Sequence, residues 1–171
     1  DPRVKTAAAG LAQQFEMSVA LYDGISEAQR ALQELRALRG QIKKMQDAAV
    51  EARRPAEVLE TIAVFDKKAA ALEGGAGGPG GAGAAGAQMG GPMGGPMGPG
   101  AAGSQDTLAG IGSSLGSLMS TLQASDTAPT SQLAAAVAER LKALQTLVDK
   151  LKSLKTRELA SLNDMLKVAT L

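Results

Sequence analysis

The sequence predicts an all-α fold: an antiparallel four-helix arrangement, long-short-short-long, with a two-helix coiled-coil-like stalk and a glycine-rich disordered linker. Helix-forming Ala and Leu number 33 and 21, whereas Val plus Ile number 12 and the aromatics 3, which disfavours strands. Apolar residues recur at intervals of three and four along four segments. A stretch that holds 15 of the 21 glycines separates the second segment from the third.

The first predicted helix is long and covers about residues 7–52. Its apolar stripe drifts as a 3.5-residue repeat does, which predicts shallow supercoiling around a partner helix. Asp23-Gly24, followed by Ser26 and Gln29, resembles a turn with a capping box, but the stripe continues across it, so we expect at most a kink. The stripe consists of Leu11, Phe15, Tyr22, Ile25, Ala28, Leu32, Leu35, Leu38, Ile42, Met45 and Ala49.

A second, shorter helix follows at about residues 55–72. Arg54-Pro55 ends the first helix because the residue before proline is pushed out of the α region, and proline suits the first turn of the next helix. The connection is short, so residues 1–73 are predicted to form an antiparallel helical hairpin. Its second helix presents one apolar face: Val58, Ile62, Phe65, Ala69 and Leu72.

Residues 74–103 are predicted to be a flexible Gly/Pro/Met-rich linker, since they hold 15 Gly, 4 Pro and no charge. Met89, Met93 and Met97 could be thioether ligands for Cu(I). Expansion of the MGGP repeat explains these methionines better, because no Cys or His assists them. We therefore predict no metal site.

Residues 104–171 are predicted to form a second helical hairpin, with helices at about 106–124 and 131–168. Ser104 or Asp106 is a candidate cap for the first of these helices, and Thr130 or Ser131 for the second. The shorter helix is intrinsically weak because of its glycines, although the spacing of Gly112 and Gly116 permits close helix contact. The apolar faces comprise Leu108, Ile111, Leu115, Leu118 and Leu122, then Leu133, Val137, Leu141, Leu144, Val148, Leu151, Leu159, Leu162 and Leu166.

If every connection reverses direction, the short helices and the adjoining halves of the long ones form a four-helix bundle. The far halves, about residues 7–28 and 151–168, then form the stalk. Lys155 and Ser18 interrupt their stripes at similar heights in such an antiparallel pairing, which suggests a shared polar layer that fixes register. The alternative is that Lys155 reaches solvent along its aliphatic stem.

The residue types exclude most catalytic chemistry. Without His or Cys the chain has no imidazole base, no Cys-His or Ser-His-Asp nucleophile, no ordinary zinc site and no disulfide. We interpret the carboxylate pairs Asp47/Glu51 and Glu57/Glu60 as surface ion-pair partners. No catalytic, cofactor-binding or metal residue is predicted, and we expect no cofactor and no enzyme activity. An enzyme that uses a carboxylate pair would need a cleft that raises their pKa values.

The net charge of +1 gives no global attraction to nucleic acid, so we expect no nucleic-acid partner. One window of the last helix is basic, but a helical wheel spreads its charges around the cylinder, so we interpret it as a solvated surface. The window comprises Arg140, Lys142, Lys150, Lys152, Lys155 and Arg157.

The opening DPRVKT, followed by LAQQFEMSVALYDGISEAQRALQELRALRGQ, resembles the C-terminal helical region of bacterial secreted BNR/Asp-box repeat proteins. These sortilin-like β-propeller proteins are often described as glycosyl hydrolase-like or sialidase-like. The resemblance covers chiefly residues 1–41 and implies that the chain is a piece of a longer protein. It carries no activity here, because Asp-box repeats have the form S-x-D-x-G-x-T-W and this chain has no Trp. Any glycosidase carboxylates would lie in the upstream propeller.

The function expected from these observations is that of a non-catalytic helical structural or interaction module. The resemblance implies an extracellular or periplasmic accessory or oligomerisation domain whose partners are the upstream propeller, another protein, or a second copy held through helix faces. The alternative is an amphipathic helical protein that opens its bundle on a lipid surface. Vesicle binding with a gain in helicity would distinguish the alternative.

Overall fold

A computed structural model describes residues 7–74, 106–124 and 127–168, and these residues form helices and short connections. The helices are α1 (Ala8–Glu51), α2 (Ala56–Glu73), α3 (Leu108–Leu122), α4 (Ser131–Ser153) and α5 (Leu159–Val168), with a π-helical turn at Leu154–Glu158 between the last two. The all-α class and the order long, short, short, long are confirmed, because α4, the π turn and α5 form one continuous helical rod. The predicted linker, apart from Gly74, lies outside the described residues.

α1 is uninterrupted through Asp23-Gly24, so the turn suggested by that dipeptide does not form. The helix ends beyond Glu51, where the amide of Arg54 donates to the carbonyl of Ala49 and Arg53 adopts a φ of +51°. This is the left-handed conformation that commonly terminates a helix, and Pro55 then leads into α2. The reversal sends α2 back along α1, as the short connection predicted.

Both short helices run antiparallel to α1. Arg39 of α1 pairs with Asp66 of α2, and Arg36 pairs with Glu73, the last residue of α2. Residue numbers along α3 also run opposite to those of α1. Gln14 donates to the carbonyl of Leu122 at 2.7 Å, whereas Gly112 lies next to Ala28. α2 therefore covers the second half of α1, and α3 covers its first half.

The two long helices run parallel to each other. Gly24 of α1 lies against Leu141 and Leu144 of α4, and Glu34 forms an ion pair with Lys155. Farther along, Met45 and Leu166 line one groove. Residue numbers rise together on both helices, which shows that the two helices are parallel. The bundle has three rods: α1, the successive helices α2 and α3, and the α4–α5 rod.

This packing of the two hairpins differs from the expected combination of a four-helix bundle and a stalk. The described part of α1 has other helices beside it over almost its whole length, so its first half does not project as a stalk with α5. The expectation assumed that the long linker reverses the chain direction, but a glycine-rich connection of about 30 residues imposes no direction. Parallel packing allows α1 and the α4–α5 rod to bury their apolar faces against each other along their length.

α2 and α3 meet end to end. An ideal Cβ on Gly74 would overlap Oγ1 of Thr107, so the end of α2 lies against the start of α3. Gly74 has a φ of +71° and terminates α2, and the Thr107 hydroxyl accepts from the amide of Gly110 to cap α3. The cap is thus Thr107 and not Asp106, which instead pairs with Arg140. Thr130 caps α4, as predicted.

The core is apolar throughout the described residues: none of its buried side chains is polar or charged, and no buried polar atom there lacks a hydrogen bond. Lys155 does not join a polar layer with Ser18, because the parallel packing places it beside Glu34 instead. Its ammonium group is exposed, so Lys155 does reach outward. The residues that fill the core are Leu21, Ala28, Ala31, Leu35, Leu38, Ile42, Ala49, Ile62, Phe65, Ala69, Leu108, Ile111, Leu115, Leu122, Val137, Leu144, Leu147, Val148, Leu151, Leu154 and Leu162.

Candidate interaction surface

The first half of α1 has two apolar faces, and the face predicted from its stripe is not the one that is buried. Leu21 and Gly24 face α3 and α4, whereas Phe15 and Tyr22 are 69% and 66% exposed. From Ala28 onward the predicted stripe and the buried face coincide. The pattern failed in the first half because two apolar faces compete there, and only the position of α3 and α4 decides between them.

The exposed face forms a continuous strip, which we call the outer stripe: Leu11, Phe15, Val19 and Tyr22. Spacings of four, four and three residues place these side chains on one side of a helix with 3.6 residues per turn. Leu11 and Val19 are 41% and 44% exposed. The stripe is about 17 Å long at 1.5 Å per residue.

Acidic side chains border the outer stripe. Glu16 and Asp23 are exposed, Glu27 is half-buried, and all three follow the same edge of α1 on a helical wheel. No Lys or Arg occurs between residues 7 and 29, and Arg30 is the first. The surface beside the stripe is therefore acidic at Glu16 and Asp23, whereas Glu27 lines a groove with Arg30, Lys152 and Lys155.

The basic window of the last helix does not form a surface of its own. Arg140 pairs with Asp106 at 2.9 Å and Lys155 with Glu34 at 2.8 Å, on different neighbouring helices. Lys152 lies 3.6 Å from Asp149 of its own helix. Three of the six basic side chains of this window are thus divided among separate ion pairs.

The densest charged cluster joins α1 to α2 and was not singled out in the sequence. Arg39 donates to both carboxylate oxygens of Asp66, at 2.9 and 3.1 Å, and also to Glu73, which accepts a further bond from Arg36. Burial alone would raise the pKa of Glu73, but the hydrogen bonds from Arg39 and Arg36 outweigh burial and hold this pKa below its ordinary value. These hydrogen bonds join α1 to α2. The residues of the cluster are close together because the hairpin places the two helices side by side.

Glu57, Asp164 and Arg157 all line a groove of about 710 Å³ between α2 and the α4–α5 rod. Both acidic residues are exposed, and Asp164 lies 3.6 Å from Lys167. Asp47, Glu51 and Glu60 are exposed elsewhere.

Metal ligands and membrane spans were also sought among the described residues. Within residues 7–74, 106–124 and 127–168, no three acidic side chains come together as a metal would require. Met89, Met93 and Met97 lie outside those ranges. No helix within them has the length and apolar character needed to cross a bilayer.

Comparisons with protein-family models, curated proteins and solved structures gave no match to this chain. The resemblance to BNR/Asp-box proteins therefore stays a prediction from the sequence.

Proposed function

We propose that this chain is a non-catalytic helical module that contacts another protein through the outer stripe of α1. The observation that carries this proposal is the stripe itself. Two aromatic side chains, Phe15 and Tyr22, stay about two-thirds exposed on a helix whose opposite face is buried in the core. Single exposed apolar residues are normal, but a continuous strip that includes two aromatic rings is typical of an interaction site.

The resemblance adds a setting to this proposal. The resemblance implies that the module is the accessory or oligomerisation domain of an extracellular or periplasmic β-propeller protein. The outer stripe occupies the first four turns of α1, directly after the DPRV-type junction in the sequence. A domain that preceded the junction would lie closest to this part of the bundle.

Lipid binding by an opened bundle is less well supported. Each of the five helices already has one apolar face buried in a core with no buried polar side chain among the described residues, so opening would expose that whole core. The acidic border of the stripe would also repel anionic lipid headgroups.

Vesicle co-sedimentation with far-UV circular dichroism tests the proposal. With vesicles of neutral phosphatidylcholine, and with vesicles that also contain anionic phosphatidylserine, we expect neither binding nor a gain in helicity. Vesicle binding with increased helicity would reject the protein-interaction function in favour of the lipid alternative.

A further inference from the structure

We infer that the outer stripe binds an amphipathic α-helix of a partner protein, and that this helix carries Lys or Arg along one side of its apolar face. The inference rests on the proposed function and specifies the partner. It follows from the shape of the stripe, the charge beside it, and the limits on pairing with a second copy.

The shape of the stripe favours a helix as the occupant. Leu11, Phe15, Val19 and Tyr22 form a straight row, one side chain wide, on a convex helical surface. A second helix can lie along such a row for about three turns and place its own side chains between these residues. A β-sheet presents a broad, flat face and would contact the row only where the two surfaces cross.

The charge beside the stripe favours a basic partner. Glu16, Asp23 and Glu27 follow one edge, and no ion pair within the described residues neutralises them. The other edge lies toward α3, whose residues Leu108–Leu122 include no charged side chain. Lys or Arg on the facing side of a partner helix would therefore meet Glu16 and Asp23. Glu27, at the far end of this edge, already lines a groove with Arg30, Lys152 and Lys155.

A second copy of this chain satisfies these conditions poorly. In a two-fold dimer with antiparallel α1 helices, the acidic edges of both copies lie on the same side of the contact, so like charges oppose one another. The stripe has four apolar side chains, which is a small contact for any partner. We therefore expect the isolated chain to be monomeric and the partner helix to bind with micromolar affinity.

Two synthetic peptides test the charge preference against the whole chain. Both have the same three-heptad apolar stripe, and they differ only in having Lys or Glu along one flank; self-repulsion keeps each peptide monomeric. Binding is measured by fluorescence anisotropy at low and high salt. We expect the Lys peptide to bind at least about tenfold more tightly, and this advantage to shrink as salt screens the charges.

Variants assign the binding to the stripe. The double substitution Phe15→Ser/Tyr22→Ser should weaken binding of the Lys peptide by about tenfold or more, and it should leave the melting temperature unchanged because both side chains are exposed. Val64→Ser is the matched control, since Val64 is 53% exposed on α2 and outside the stripe. Glu16→Gln/Asp23→Asn should remove the preference for Lys over Glu.

Each contrary result has a separate meaning. Equal binding of the two peptides, or no binding of either up to high micromolar concentration, overturns the inferred partner. A dimer in sedimentation analysis that disappears on Phe15→Ser/Tyr22→Ser makes the second copy the occupant; it overturns the inferred partner but retains the interaction function. Binding to lipid vesicles through the same residues overturns both proposals.

Discussion

At the scale of single residues, Gly24 lies in the contact between the two long helices. An ideal Cβ at this position would lie 2.6 Å from Cδ2 of Leu141 and 3.4 Å from Cδ1 of Leu115. The missing side chain thus makes room where α1, α3 and α4 meet. Gly40 lies in the same helix with no atom within 4 Å of its ideal Cβ, so it has no such packing role.

These two glycines give a matched test. Gly40→Ala should stabilise the protein by about 0.5–1 kcal/mol, because alanine loses less backbone entropy in a helix. Gly24→Ala offers the same helical gain but must displace Leu141, so it should be less stable than Gly40→Ala by about 1 kcal/mol. Urea unfolding of the two variants measures the difference. Equal stabilisation by both would show that the contact at Gly24 is not tight.

The Arg39 cluster makes stability depend on pH. The pKa of Glu73 is lowered in the folded state, so its contribution is present above the ordinary carboxyl pKa and is lost as pH falls through the folded value. Glu73→Gln should cost about 1–3 kcal/mol at pH 7 and less below about pH 4. Urea midpoints between pH 7 and pH 3 check this.

Glu60→Gln removes an exposed carboxylate from the same helix and is the matched control. If Glu73→Gln and the wild type lost stability in parallel on acidification, the cluster would not contribute through ionisation.

At the scale of helices, the α4–α5 rod depends on a buried leucine row that continues past the π turn. Leu154 is 3% exposed and Leu162 is 2% exposed, whereas Lys155 between them faces Glu34. The π turn holds one residue more than an α-helical turn would, and both leucines still face the core. The apolar spacing predicted that the last helix is long; it did not predict the π turn.

Leu162→Asp should destabilise the protein by several kcal/mol, about 3–5, because it buries a carboxylate with no partner. Asn163→Asp adds the same charge at the adjacent exposed position and should change stability little. Thermal unfolding monitored by circular dichroism compares the two. Little change in the melting temperature of Leu162→Asp would refute the burial of this face.

At the scale of the whole molecule, the connection between α2 and α3 starts and finishes at one place on the bundle, where Gly74 lies against Thr107. Such neighbouring ends need only a short connection. The length of residues 75–105 is therefore not required to join the two helices.

Deleting residues 77–98 should leave stability within about 1 kcal/mol of the wild type, since closure entropy changes by only about 0.6 kcal/mol for each doubling of loop length. Chemical denaturation of the deletion variant and of the full chain provides the measurement. A loss of several kcal/mol would instead mean that the deleted residues pack on the bundle.

Local sequence patterns were sufficient to predict where the helices begin and end. The predicted ranges of about 7–52, 55–72, 106–124 and 131–168 agree with the structure to within about two residues, because helix periodicity, proline and capping residues act over a few neighbours. They also predicted the core face of α1 from Ala28 onward. They predicted no catalytic constellation, and that expectation stays a prediction.

Only the tertiary structure decided how the two hairpins combine and which face of α1 is left outside. The Gly-rich linker carries no directional information, so the parallel packing of the long helices follows from burial of their shared apolar faces and from the space at Gly24. The same choice turns Phe15 and Tyr22 outward, whereas the first hairpin by itself brings Arg39 to Asp66 and Glu73. Periodicity shows that a face is apolar, but the arrangement of the other helices determines whether that face is covered.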